Sequence, residues 1–265
     1  MPIVFAAVVP HPPVLMPSIG QDHLAKLRQT IRSLQHLEHE LYAAQPQAVI
    51  VISPHGHVLA EAFSINLQAS YVGRFTAFGD HATTLKFCGD PGLVQRIREY
   101  HSVRAEVPLT LTSEEDVDYG ISVPLSRLLT HLPDVPVVPI TTSGLDAAVH
   151  FVFGQYLADR IIDSGKRVAV VASADLSHRL TKTSPGGYSK TAAKFDAQMV
   201  ELIQRQAADA LIGLDPASVQ REGVCGWCAI VTLFGVLSKL RVTPAVLSYE
   251  SPFGVGYLVA NFKLD

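Results

Sequence analysis

Short, continuous apolar runs punctuate the chain, and between them apolar positions recur at helical spacing. Ile3–Val9, Ala48–Ile52, Val135–Ile140 and Arg167–Ala172 are too short for helices and rich in β-branched residues. Each predicts a strand covered on both faces. The stretch from Gln21 to Ala44 has a different rhythm. Leu24, Leu27, Ile31, Leu34, Leu37 and Leu41 recur at steps of three and four, so they line one face of a long helix. Looser alternation around Phe63–Leu67 predicts an outer strand or ribbon. Helices are predicted over Pro91–Tyr100, Val123–Leu132, from Gly144 to about Ser164, Ala192–Arg205 and Gly226–Leu240, with closing strands at Ala245–Tyr249 and Gly256–Phe262. Ser184-Pro-Gly-Gly187 reads as a flexible loop. The alternation of strand and helix predicts an α/β fold: a single domain over 1–265, with a mixed, mostly parallel central sheet flanked by helices. No repeat, low-complexity tract or linker divides it.

Composition supports a large buried core. Of 265 residues, 48% are hydrophobic and 17% charged, which argues against disorder. With a net charge of −3 and no long Lys/Arg run, no nucleic-acid partner is expected. The apolar runs are too short or too interrupted to span a bilayer, so no membrane partner is expected either. The apolar start lacks a basic flank and runs straight into His11-Pro-Pro, as a buried strand does and a signal peptide does not. Three cysteines, Cys88, Cys225 and Cys228, make no disulfide framework in a chain of this length, and a reducing cytoplasm is the simpler location.

Three histidines share one local context. His11 follows the strand ending at Val9-Pro10, His55 follows Ser53-Pro54, and His178 comes shortly after the strand ending near Ala172. Ligands of open α/β sheets bind beyond the carboxyl ends of parallel strands, so residues far apart in sequence can converge there. The prolines stiffen two of the exits. His23, His36, His39, His81, His101, His131 and His150 read as surface or helix-face residues. Two neutral imidazoles and a carboxylate form the facial triad of non-haem Fe(II), with positions left for O2 and substrate. The anionic ligand is expected in Gln220–Cys228, where Glu222 is the carboxylate and Cys225 the thiolate alternative.

Val9-Pro-His-Pro-Pro13, Ser53-Pro-His55, Ser173-Ala-Asp-Leu-Ser-His178 and Ser248-Tyr-Glu-Ser-Pro-Phe-Gly-Val-Gly-Tyr257 together resemble the class III extradiol dioxygenase superfamily. That group includes the catalytic subunit of protocatechuate 4,5-dioxygenase. The likeness is strongest to its Memo-related branch, the dioxygenase-like proteins encoded beside radical-SAM proteins. It implies that His11 and His55 hold iron and that His178 is the catalytic acid/base. Family members often carry a further histidine in an Asp-His-Gly context, where this chain has Asp118-Tyr119-Gly120, so Tyr119 stands in its place. A phenol can donate a hydrogen bond but is a poor proton shuttle near neutrality. The dioxygenases use a glutamate before the last long helix and the Memo-type relatives a cysteine, which Cys225-Gly226 matches. Asp175 and Glu250 are expected to contact substrate.

The resulting expectation is a cytoplasmic extradiol-type oxidoreductase with Fe(II), or Zn as the alternative metal. Its partners would be a small catechol- or aminophenol-like aromatic and O2, and the family likeness allows a homo-oligomer. Three other readings compete. Cys225-Gly-Trp-Cys228 before a helix is a weak thiol-redox motif. A non-enzymatic, Memo-like interaction protein could keep the fold with an altered site. Zinc hydrolysis would use similar ligands, with Glu222 or His178 as base.

Overall fold

The computed structural model describes residues 2–101 and 107–265, without the side chains of Tyr100 and His101. The role expected for His101 therefore lies outside the described residues. Strand β1 (Ile3–Val9) leads through helical turns into α1 (Pro17–Gly20) and α2 (Arg28–Ala44). Then follow β2 (Ala48–Ser53), β3 (Phe63–Asn66), β4 (Ser70–Phe75), β5 (Asp80–Cys88), α3 (Pro91–His101), β6 (Leu109–Thr112), β7 (Asp116–Val117) and α4 (Tyr119–Leu128). The second half runs β8 (Val137–Thr141), α5 (Ala147–Ser164), β9 (Val168–Ser173), α6 (Ala192–Gln204), α7 (Ala208–Ile212), α8 (Pro216–Glu222), α9 (Trp227–Leu237), β10 (Val242–Glu250) and β11 (Tyr257–Leu264).

Among the described residues, eight strands form one mixed sheet in the order β10-β11-β1-β9-β2-β8-β3-β6, and β5-β4-β7 form a small second sheet. The four central strands, β1, β9, β2 and β8, run parallel, so their carboxyl ends share one edge. Apart from the polar residues that close β2, β8 and β9, they are apolar because both faces are covered. Ile50, Ile52, Val168 and Val170 face a core shared with Phe153, Leu157, Ile230 and Leu233 of α5 and α9. Val49, Val51, Ala169 and Val171 face the opposite core, with Leu34, Leu37 and Leu41 of α2 and Ile121 and Leu125 of α4. The period-two alternation within each strand thus feeds two separate layers.

Several elements differ from the sequence expectation. The segment expected to open the long helix, Gln21–Lys26, is a 3-10 turn, and the α-helix starts at Arg28. Leu27 makes the break, with φ −108° and ψ 29° and its side chain fully buried. The helix expected at 123–132 begins at Tyr119 and carries Pro124 in its interior. Phe63–Asn66 is a buried member of the main sheet, not an outer ribbon. The Ser184–Gly187 loop is pinned, because the Ser184 hydroxyl donates to the Gly254 carbonyl at 2.8 Å. His150 is fully buried and not a surface residue: it accepts from the Ser143 N–H at 3.2 Å and packs against Phe63.

Candidate metal centre

The strand exits deliver the site. Beyond β1, Pro10 leads to His11; beyond β2, Pro54 leads to His55; beyond β9 come Asp175 and His178. The exits of β1 and β2 flank that of β9 and bring the Nε2 atoms of His11 and His55 within 3.1 Å. Cys225, just before α9, adds its Sγ 3.5 Å from His11 Nε2. Gly226 makes this approach feasible. A Cβ there would lie 2.3 Å from the Ala174 Cβ, so only glycine lets the start of α9 press against the exit of β9. The Gly226 N–H is anchored on the Asp175 carbonyl at 3.1 Å.

One ligand atom each from His11, His55 and Cys225 falls within 4.8 Å of the others. Nitrogen donors about 2.1 Å from one ion, at tetrahedral to right angles, stand roughly 3.0–3.4 Å apart, and sulfur adds a few tenths of an ångström. The His11–His55 and His11–Cys225 separations match that spacing, and the donor set of two imidazoles and a thiol suits a first-row transition ion.

The protonation states agree. Burial, and then the charges of His55 and His178, push His11 well below the usual histidine range. Burial, reinforced by His178, lowers His55 to about 4. Both rings are neutral at physiological pH and offer lone pairs. The Ser173 hydroxyl donates to the Gly120 carbonyl, so its oxygen accepts from His11 Nδ1 at 2.8 Å. The His11 proton therefore sits on Nδ1 and the lone pair on Nε2, facing the other donors. Burial, followed by the nearby Asp175 charge, raises the Cys225 thiol far above its ordinary value, so a cation is needed to make it a thiolate. Asp175 is buried, accepts the His11 N–H at 2.9 Å, and is pushed up to about 7 by loss of solvent. Its second oxygen lies 3.8 Å from His11 Nε2.

Around this centre, Tyr119 opens α4 with its hydroxyl 2.9 Å from His55 Nε2 and its ring stacked on His55 at 4.5 Å. Burial raises the phenol, followed by the charges of Cys225, Asp175 and Asp118, so Tyr119 remains a donor. His178 Nδ1 lies 2.6 Å from the Gly223 carbonyl and 3.0 Å from that of Leu176. Both partners only accept, so Nδ1 carries the proton and Nε2 is the basic nitrogen.

Glu222 is not among the donors. Its carboxylate is wholly buried in a different cluster, accepting from Thr191 Oγ1 at 2.6 Å and Arg221 Nε at 3.1 Å. Burial favours its protonation, but hydrogen bonds from Ser189, Thr191 and Arg221 prevail and hold it below the ordinary glutamate value. Glu222 serves the site through its main chain, whose carbonyl accepts from the His178 N–H at 3.2 Å and the Ser177 hydroxyl at 2.7 Å. Glu250 is likewise occupied elsewhere: its Oε1 accepts the Thr30 N–H at 2.8 Å and so caps the first turn of α2. The redox reading fares poorly, because burial raises both cysteines, Cys228 to about 11, where the helix start was expected to lower them. Sequence reasoning missed Ser173 as the group that orients His11, although it lies in the quoted Ser-Ala-Asp-Leu-Ser-His stretch. It also missed Phe78, whose exposed ring meets Tyr119 edge-on at 5.2 Å.

Fold and site together define an α/β protein with a His, His, Cys donor set at the carboxyl edge of its parallel strands. Residues 5–260 match the family described as the catalytic LigB subunit of aromatic ring-opening dioxygenase, and the chain belongs to that family. It is 24% identical over 265 residues to protein CA_C1420 of Clostridium acetobutylicum; the match takes in 97% of this chain but 56% of that protein, so the chain spans about half the length of this curated relative. Its fold is similar to that of the uncharacterized protein JW3007 from Escherichia coli K12, with a TM-score of 0.70 and 20% identity over 98% of this chain and 99% of that one. Among the described residues, no helix is long and apolar enough to cross a membrane.

Proposed function

We propose that this chain is an iron(II)-dependent oxidoreductase of the extradiol type, with His11, His55 and Cys225 holding the ion and a catechol- or aminophenol-like aromatic and O2 as its substrates. The observation that carries the reading is the 3.1 Å approach of two neutral imidazole nitrogens with a thiol 3.5 Å away. When bound, iron(II) in such a set supplies one-electron chemistry and positions for a chelating substrate. The chain's own residues supply the rest. His178 Nε2, its tautomer fixed by the Gly223 carbonyl, takes a proton from a ring hydroxyl. The Tyr119 hydroxyl donates a hydrogen bond beside His55. Burial of His11 and Asp175 keeps water from the inner wall of the site.

Anaerobic loading with Fe(II), followed by metal analysis, tests the centre. The parent is expected to hold about one ion per chain, and His11→Ala, His55→Ala and Cys225→Ser to lose it. Retention by the two histidine variants would end the proposal. His178→Ala is expected to keep the metal and lose ring cleavage, assayed as O2 uptake with a panel of catechols and aminophenols. A second reading, a metal-binding protein of this fold that is not a dioxygenase, is favoured by one feature: the third donor is the Cys225 thiol, where the resemblance to the ring-cleaving dioxygenases implies a glutamate. Stoichiometric iron without O2 uptake on that panel would select it.

A further inference from the structure

Pro124 is the sixth residue of α4, buried, where proline typically costs a helix about 3 kcal/mol. Its lack of an N–H leaves the carbonyl four residues earlier, that of Gly120, without its helical donor. Gly120 is itself buried, so water cannot readily replace that donor. The bond is made from another element: Ser173, at the end of β9, donates its hydroxyl to the Gly120 carbonyl. A serine hydroxyl has one hydrogen. Once it points at Gly120, the oxygen can only accept from His11 Nδ1, 2.8 Å away. The His11 lone pair is thereby left on Nε2, 3.1 Å from His55 and 3.5 Å from Cys225.

We propose that Pro124 is a positioning residue for the metal centre: by withholding one helical N–H it leaves the Gly120 carbonyl unshared with that donor and a stronger acceptor for the Ser173 hydroxyl, which fixes the tautomer of His11. The relay runs Pro124, Gly120, Ser173, His11 and crosses from helix to strand to ligand without any of the first three touching the ion. It rests on the proposed metal role for its consequence, but not for the tautomer itself. A proline placed for packing alone would leave the His11 tautomer unchanged when replaced by a residue that can donate.

The test is Pro124→Ala, with Pro124→Ser as a second variant that also restores the N–H. In the metal-free protein labelled with 15N-histidine, long-range 1H–15N correlations report which nitrogen of His11 carries the proton. The parent is expected to show Nδ1–H, and both variants a mixture with Nε2–H, because the new N–H shares the Gly120 carbonyl, weakens its hold on the Ser173 hydroxyl and lets that hydroxyl turn to donate to His11. Affinity for Co(II) alone is expected to fall about tenfold, at the lower end of losses seen when a partner of a ligating histidine is removed. Thermal stability should hold or rise, since a helix-breaking residue is gone. Ser173→Ala is expected to lose Co(II) affinity as well, and adding Pro124→Ala to it should cost nothing further, as for members of one relay. Unchanged Nδ1–H together with parental Co(II) affinity in both Pro124 variants overturns the inference. Failure of the parent to bind Co(II) would sink the proposed function instead, while the tautomer measurement would still decide the relay.

Discussion

Asp175→Asn separates the stability of this fold from its capacity for a cation. Burial raises the Asp175 carboxyl from near 3.8 to about 7 in the folded chain. Between those limits the folded state keeps a proton that the unfolded chain releases, so stability declines as pH rises through the window and levels off above it. At about 1.4 kcal/mol per pH unit, the charged carboxylate costs the metal-free fold up to roughly 4 kcal/mol at pH 8. Asparagine keeps the acceptor for the His11 N–H and is never charged, and its amide hydrogens face His11 Nε2, 3.8 Å from the present oxygen. Part of the cost should be recovered, about 2–3 kcal/mol, after allowing for imperfect pairing of the amide. Urea unfolding of metal-free parent and variant from pH 5 to 8.5 reads the effect. The stability difference should grow by up to about 1.4 kcal/mol per unit toward pH 7 and then flatten. Co(II) affinity at pH 8 should move the opposite way, because the ion loses a neighbouring negative charge. A difference that is constant with pH, or a variant less stable at pH 8, would refute the argument.

Gly226→Ala should act on the centre by displacement. The new Cβ would meet the Ala174 Cβ at 2.3 Å and Cα at 2.5 Å, neither of which can yield, so the start of α9 must recede and carry Cys225 with it. A stability loss of about 1–3 kcal/mol is expected in urea unfolding, and a fall in Co(II) affinity of at least tenfold, since sites tolerate only about 0.5 Å of error; parental affinity would show that Cys225 does not depend on this packing. His55 gives a second pH signature, opposite in sign to that of Asp175. Folded His55 refuses a proton down to about pH 4 that the unfolded chain accepts from about 6.5, so unfolding takes up a proton and metal-free stability falls as pH drops through that window. His55→Asn should remove its share of that slope, about one proton, and leave the share of His11, which is lowered in the same direction, in a pH series of unfolding curves; an unchanged slope would mean that His55 is not held neutral.

How legible was this in the sequence? The buried strands were plain because a run such as Ala48–Ile52 has no polar position to misplace, and its Pro54-His55 exit located a candidate ligand without coordinates. The second sheet was not legible: β5 is nine residues of mixed polarity, mostly exposed, and carries no clean period. The start of α4 was misplaced because Pro124 reads as an early-helix residue, whereas the helix tolerates it in its interior and uses the carbonyl it frees. The sequence reading favoured Glu222 over Cys225 as third donor, wrongly, because spacing alone does not say which way a turn points its side chains. Packing decides that here: Thr191 and Arg221 draw the Glu222 carboxylate into a separate cluster, and the Gly226–Ala174 contact brings Cys225 to the strand edge.

The choice between those two residues has a consequence that needs no structure to test. A glutamate ligand is already ionised at neutral pH and would bind a cation without releasing a proton. Cys225 is held protonated by burial and by Asp175, while His11 and His55 are already neutral, so binding through the thiolate must expel about one proton from Cys225. Affinity should then rise about tenfold per pH unit from pH 7.5 to 9, a range in which Asp175 is mostly ionised and adds little. Calorimetric titration with Co(II) at pH 8.5, in two buffers of different ionisation enthalpy, counts the proton directly. The parent should release close to one, Asp175→Asn the same, and Cys225→Ser essentially none, with whatever affinity it retains nearly independent of pH. Binding by the parent without proton release would remove the thiolate from the centre and return the third position to an already ionised group.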